Sequence, residues 1–392
     1  MRLSKEIYFD NSATTKVRKE VIDVILSTFN ENYGNPSSLH KKGIQAEKAV
    51  EISRKIIANA LKCSSSEIFF TSGGTEANNL AIKGTAYRYK RRGKHLITSN
   101  IEHPSVINTF KYLENEGFDV SYIDVNKDGI VIIEELKKEI TPETILVSIM
   151  MVNNEIGSIQ PVEEISRIIS SQSQNKIIFH VDAVQGFGKI PIDVGNMGID
   201  LLTISGHKFH GPKGIGALYV RSGIELIPLI TGGEQERGLR SGTENVPGIV
   251  GLGKAAELAV MGLKEFNSKV SELKERLSRR IIEEIPGVRI NGPICDDPHS
   301  APHIINISFK GIKGEILVHA MEQYGIYLST GSACSSRKSH SSHVLKAIGC
   351  EDEELEGAIR FSFSAFNTVD EVDYCVEKLK EELKELRSII RR

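Results

Sequence analysis

The chain has 392 residues, 40% of them hydrophobic and 26% charged, with a formal net charge of −2. This is ordinary globular composition, long enough for one large and one smaller domain. The near-neutral balance leaves no global basic field for nucleic acid or an anionic membrane.

The start, Met1-Arg2-Leu3-Ser4-Lys5-Glu6, is polar at once, so no secretory leader is expected. Strand-like runs follow at 67–72, 95–99, 120–125, 145–151, 177–182, 201–205 and 216–220. Helix-like segments lie between most of them, such as 76–89, 104–115 and 161–171. Short apolar strands alternating with amphipathic helices predict an α/β fold: a mainly parallel seven-stranded sheet with helices on both faces. The longest apolar stretch, near 145–152, contains Ser148 and is far too short to span a bilayer. From about 245 to 284 the pattern is long-helical. After it come a strand-like run at 304–309, a helix at 313–324, a Gly/Ser-rich loop with a cysteine, and a charged C-terminal helix. The expected division is a large domain over 15–260 and a smaller α+β domain made of 1–14 with 261–392. The five cysteines, Cys63, Cys295, Cys334, Cys350 and Cys375, form no CxxC pair and are odd in number. That speaks against a disulfide framework and a zinc site, and fits a reducing cytosol.

Catalytic groups in such sheets sit beyond the carboxyl ends of strands, and here polar motifs do follow the apolar runs. Thr71-Ser72-Gly73-Gly74-Thr75-Glu76 reads as a strand, a glycine turn and a helix start. Its N–H groups suit a phosphate, although an ordinary N-cap turn fits the same letters. His103, between Glu102 and Pro104, is as a lone residue a cap or surface histidine; at a strand end it could stack on a flat ring and move protons. Asp182 and Gln185 follow Phe179-His180-Val181, where an acid can simply cap the next element. Lys208 closes Leu201-Leu202-Thr203-Ile204-Ser205-Gly206-His207. Alone, a strand-end lysine is ordinarily just solvated. Together, a lysine and an aspartate each placed past a buried strand are what pyridoxal 5'-phosphate (PLP) chemistry requires. The amine forms a Schiff base with the cofactor aldehyde, and the carboxylate keeps the pyridine nitrogen protonated. Ser205 and His207 offer groups for its phosphate. Cys334, in Ser332-Ala333-Cys334-Ser335-Ser336-Arg337-Lys338, sits among small polar residues beside cations, which favours exposure and a thiolate. An incidental loop thiol is the plain alternative, whereas Cys375 reads as a buried structural thiol. Arg360, in the alternation Ala358-Ile359-Arg360-Phe361-Ser362, is either a salt-bridge partner or a planar fork for a carboxylate.

With these motifs in order, the chain resembles the cysteine desulfurases of the class V aminotransferase group, within the fold-type I PLP-dependent transferases. The matching stretches are 8–15, 71–79, 153–157, 182–185, 205–216, 240–245, 331–334 and 360–362. The resemblance implies L-cysteine as substrate, L-alanine as product and PLP as cofactor. It implies Lys208 as the Schiff-base lysine, Asp182 on the pyridine nitrogen, Gln185 on the ring hydroxyl, and His103 stacked on the ring and moving protons. Gly74, Thr75, Ser205 and His207 would hold the phosphate. Thr243 would reach the phosphate of the partner subunit, which makes a homodimer. Asn154, preferred to Asn153, would join the cofactor contacts and, with Arg360, hold the substrate carboxylate. Cys334 would take the sulfur as a persulfide, on a loop expected to occupy more than one position.

The same resemblance implies a cytoplasmic enzyme that passes sulfur to an iron–sulfur scaffold protein or a tRNA-thiolation sulfurtransferase. Direct nucleic-acid or membrane contact is not expected, nor a resident metal; Cys334 would touch a cluster only in transit. Ala365 stands where the family often has glycine, and the stretch 337–343 is more basic than in many relatives. The alternatives are a selenocysteine lyase, another class V PLP aminotransferase, or a non-catalytic sulfur-relay protein on the same fold. A nucleotide-binding Rossmann domain is discounted, because no GxGxxG follows the first strand.

Overall fold

The computed structural model describes residues 6–172, 176–330 and 342–390. The chain begins with β1 (Ile7–Tyr8), α1 (Lys19–Glu31) and α2 (Lys41–Leu61). Strands and helices then alternate: β2 (Ile68–Thr71), α3 (Gly74–Tyr89), β3 (His95–Ser99), α4 (Pro104–Asn115), β4 (Asp119–Ile123), α5 (Ile133–Glu139), β5 (Thr144–Met150), α6 (Val162–Gln172) and β6 (Ile178–Asp182). Two more strands, β7 (Leu201–Ser205) and β8 (Gly216–Val220), complete this part. Strands β3, β5, β6, β7 and β8 are buried along their whole length, covered on both faces. That is why they read as unbroken apolar runs rather than as alternation.

These strands form one seven-stranded sheet in the order β2-β8-β7-β6-β5-β3-β4. Strand β8 is antiparallel to both of its neighbours, and every other pairing is parallel. Strand β2 therefore points the same way as β7, and six carboxyl ends share one edge of the sheet. The architecture is the expected one, with boundaries that differ from the sequence reading by one or two residues. After β4 is laid on one side of β3, β5 is laid on the other. This reversal opens a crevice at the carboxyl edge, between the loops that leave β3 and β5.

The long-helical stretch is two helices rather than one. Helix α7 (Val246–Met261) ends at Gly262, and α8 (Leu263–Glu284) leaves at 71° to it. Helix α7 lies against α1 and α2. A Cβ at Gly253 would fall 2.8 Å from the Ser53 side chain, so the close α2 contact requires glycine there. Among the described residues no single helix is long and apolar enough to cross a membrane.

The rest of the chain supplies β9 (Val288–Asn291), β10 (Ile304–Phe309), α9 (Gly314–Glu322), β11 (Ile326–Tyr327), α10 (His343–Ala347), α11 (Asp352–Glu356), β12 (Ala358–Ser362) and α12 (Val369–Ile390). Strands β12, β10 and β9 make an antiparallel sheet. Leu277 and Ile281 of α8 pack with Val376 and Leu379 of α12 and with Phe309 and Phe361 of that sheet, in a core separate from those of the large sheet. Ile7 and Phe9 belong to this second core, and β1 pairs in parallel with β11. Cys375 is fully buried in it.

Candidate functional site

Asp182 is the last residue of β6, in register with Met150 of β5 and Thr203 of β7. It is buried, and one carboxylate oxygen accepts from Asn78 Nδ2 at 2.7 Å while the other accepts from the Val184 N–H at 3.0 Å. The capping reading of this acid is thus met by the Val184 bond, and Asn78 adds a second, deliberate-looking anchor from α3. Lys208 ends the short turn after β7. Its amine donates to the Ser12 carbonyl and, at 2.9 Å, to the Ala13 carbonyl. The lysine is therefore held by the N-terminal loop rather than left in solvent. Gln185 Nε2 donates to the same Ser12 carbonyl at 2.9 Å.

His103 caps α4: its Nδ1 accepts from the Ser105 N–H at 3.1 Å, and Pro104 occupies the first helical turn. The cap role and the functional role coincide at this residue, because the ring also feels both Asp182 and Lys208. Burial above all pushes His103 below the ordinary histidine range; the Asp182 charge opposes this, and Lys208 and His343 add to it. Glu102, next in line, is fully buried. Burial raises its carboxyl to about 8, with the Asp182 charge adding to the rise, although Ser99 and the Met150 N–H bond to it. His207 accepts or donates to Thr14 at 3.2 Å and is pushed down to about 4 by burial, then by Lys208, Lys213 and Lys189.

A second end of the crevice is suited to an anion. Gly73 caps α3 with no side chain to offer, and Gly74, Thr75 and Glu76 open the helix. The first intrahelical bond runs from the Ala77 N–H to the Gly73 carbonyl, so the N–H groups before it have no partner within the helix. The plain side-chain cap is thus absent here. Ser205 ends β7 beside this turn: a Cβ on Gly74 would lie 3.5 Å from the Ser205 Cβ and 2.9 Å from Val184. Thr75 is exposed. Glu76 pairs with Arg240 at 2.8 Å, three residues before the exposed Thr243.

The third part is built from distant pieces of chain. Arg360, buried in β12, donates to Asp10 at 2.6 Å and to the Asn154 carbonyl at 2.9 Å. Asn153 and Asn154 divide their tasks. The buried Asn153 side chain is engaged by the Ile101 carbonyl and by the Glu155 and Ile156 N–H groups. Asn154, half-buried, lends its carbonyl to Arg360. Asn11 bonds the Ser362 carbonyl, the Ser12 N–H bonds Ser362 Oγ, and Thr15 bonds the His207 carbonyl. The loop 11–15 therefore ties the Arg360 strand to the Lys208 turn.

Cys334 and its loop, 331–341, lie outside the described residues. The described flanks both stand at the site. On one side the Arg360 N–H donates to the Ser329 carbonyl at 2.7 Å. On the other, Ser342 donates to Glu155 at 2.6 Å, and His343 Nε2 lies 3.0 Å from the Glu102 carbonyl. Asn78, Glu102, Asp10 and the Ser12 carbonyl escaped the sequence reading. Asn78 and Asp10 stand inside the matched stretches, but nothing in their spacing names their partners.

The Aminotransferase class-V family model matches residues 7–375. A cysteine desulfurase IscS of Clostridium botulinum is 48% identical over 387 residues, covering 99% of this chain and 96% of that protein. A solved structure described as a NifS-like protein superposes with a TM-score of 0.91 at 42% identity, covering 97% of this chain and 100% of the other. A third, described as SspA in complex with cysteine, gives a TM-score of 0.80 at 39% identity over 93% of this chain and 100% of its own.

Proposed function

The chain belongs to the class-V aminotransferase family and, within it, to the cysteine desulfurases, and we propose that it takes the sulfur of L-cysteine onto Cys334 and releases L-alanine. The observation that carries this reading is the convergence of the Lys208 amine, the Asp182 carboxylate and both flanks of the 331–341 loop at one crevice.

The residues fit pyridoxal 5'-phosphate. The α3 start, with Gly73 and Gly74 leaving room beside Ser205, suits a phosphate. Asp182, anchored by Asn78, suits a protonated ring nitrogen. Gln185 would meet the ring hydroxyl, and His103 would lie against the ring face. Thr75, Ser205 and His207 would hold the phosphate, joined by Thr243 of a second copy. When bound, this cofactor supplies an electron sink conjugated to the amino carbon of the substrate.

Around it the chain's own groups do the work. Arg360 and Asn154 orient the substrate by its carboxylate; Asp10 presets the guanidinium plane before substrate arrives. The Lys208 Nζ amine would accept the proton that leaves Cα and give it up again as the product forms. Burial disfavours the His103 cation, which suits the ring to accepting a proton. The Cys334 thiolate attacks the substrate sulfur; the carbon–sulfur bond breaks, a sulfur–sulfur bond forms, and the carbon side leaves as alanine after protonation. Persulfide sulfur then passes to an acceptor, an iron–sulfur scaffold protein or a tRNA-thiolation sulfurtransferase.

A homodimer is part of this reading. Phe29, Tyr33, Leu39, Ile227, Leu229 and Ile230 are large apolar side chains left exposed in the single chain. Contiguous apolar surface is what an interface buries, and the Ile230–Arg240 bridge ties the 227–230 segment to the loop that carries Thr243, which supports the dimer. The division we favour is a large domain, 15–260, and a small one, 1–14 with 261–392; the core that Ile7 and Phe9 share with α8 and α12 supports it. The free described cysteines suit a reducing cytoplasm. The test is direct: purified, cofactor-loaded protein given L-cysteine and a thiol releases alanine and sulfide in equal amounts. Cys334→Ser keeps the visible absorbance and stops sulfide release. Undiminished sulfide release by that variant overturns the assignment.

A further inference from the structure

Lys189 is a lysine in an unexpected place. It follows Asp182 through two tight turns, and the residue is 5% exposed. Its Nζ donates to Gln185 Oε1 at 2.9 Å. Buried lysines ordinarily pair with a carboxylate; this one meets a neutral amide. The charged and imidazole groups that act on it or feel it are Lys208, Arg360, His207, His210 and His303. Burial first, then Lys208 and Arg360, push it well below the ordinary lysine range. It also borders a cavity of about 280 Å³ behind Lys208, shared with Arg18, Phe266 and Phe366. Lys208 lines the same cavity.

A purely space-filling role would be served better by methionine, which carries no polar atom to desolvate. The hydrogen bonds indicate a different task. Gln185 is engaged at both ends: Oε1 accepts from Lys189, and Nε2 donates to the Ser12 carbonyl that also takes the Lys208 amine. A carboxamide has one acceptor end and one donor end, nearly equal in shape. An N–H donor on one side and a carbonyl on the other allow a single orientation. The remaining Nε2 hydrogen is then fixed relative to Lys208, and donation into Oε1 polarises the amide and strengthens it as a donor.

We propose that Lys189 is a positioning residue that acts through Gln185, holding the amide so that an N–H faces the oxygen of the cofactor ring beside the Lys208 linkage. This rests on the reading that Lys208 carries pyridoxal phosphate with Gln185 at the ring hydroxyl. Without Lys189, Oε1 is buried without a donor, and the amide gains by rotating out of place. The ring oxygen then loses a hydrogen-bond donor, becomes more basic, and holds the linkage proton more tightly.

The experiment titrates the visible band of the cofactor-loaded protein against pH. Lys189→Met raises the midpoint by about half a unit to one unit, the size of one ordinary hydrogen bond. Lys189→Gln, which keeps a donor on a similar stem, returns most of the shift. Gln185→Met moves the midpoint the same way, and adding Lys189→Met to it moves it no further. A Lys189→Met protein that melts earlier but titrates like wild type overturns the proposal, because that is what a structural lysine does. If Lys189→Met does not fold, Gln185→Met is compared with and without Lys189→Gln: equal midpoints support the role, unequal ones overturn it. A wild type with no visible band removes the cofactor reading and the proposal together, whereas a wild-type band with an unmoved variant midpoint removes the proposal alone.

Discussion

The two walls of the crevice are made in different ways. Asp182, Ser205, Lys208 and His103 each stand at or just past the carboxyl end of a strand, and neighbouring strands fix their spacing. The opposite wall, with Arg360, Asp10, Asn154 and the Ser12 carbonyl, is assembled across a chain separation of up to 350 residues. The first wall inherits its precision from the sheet; the second depends on the loop 11–15, which ties β12 to the Lys208 turn. In the proposed function, chemistry on the amino carbon falls to the strand-end wall and capture of the substrate carboxylate to the assembled one.

On this contrast, changes in the strand-end wall reduce turnover and changes in the assembled wall weaken binding. Asp182→Asn keeps the Asn78 neighbour but cannot keep a ring nitrogen protonated. Its kcat falls by about 10²- to 10³-fold, with cofactor still bound, as alanine formation and absorbance will read. Arg360→Lys loses the planar fork; kcat/KM for L-cysteine falls by about 10- to 100-fold, carried mainly by KM. A kcat loss with KM unchanged would contradict the division.

The adjacent asparagines sharpen it further. Asn153→Ala leaves the Glu155 and Ile156 N–H groups and the Ile101 carbonyl without partners, and lowers stability by about 1–3 kcal/mol in denaturant unfolding. Asn154→Ala leaves unfolding unchanged and raises KM. The smallest effect is a slope. The folded chain holds the Glu102 acid at about 8, against an ordinary 4.5. Between these values the folded state keeps a proton that the unfolded state has released, so this contribution to stability is complete below about pH 4.5 and is lost as pH rises to about 8. Glu102→Gln, isosteric with the protonated acid, flattens the decline in melting temperature across that window; an unchanged slope would place the titrating group elsewhere.

The same difference between the walls decided what could be read from the sequence. Buried parallel strands are continuous apolar runs, so their ends, and with them Asp182 and Lys208, are visible as polar residues that stop a run. Register between strands then follows from the sheet. Gly262 did not show as a break, because the helical periodicity resumes directly after it. Arg360 was visible as a candidate, but its Asp10 partner lies near the other end of the chain, and no local pattern encodes such a contact. Asn78 hid inside the α3 motif, where a helix surface position and an Asp182 anchor look alike. Lys189 hid for a related reason, since a lysine in a turn is ordinarily solvated and nothing local announces its burial.

The most direct measurement fixes the cofactor to its lysine. Borohydride reduction of the loaded protein, followed by proteolysis and mass spectrometry, should place a pyridoxyl group on Lys208. The same mass on Lys189 or any other lysine, or a coloured protein with no adduct on Lys208, would contradict the assignment of the crevice.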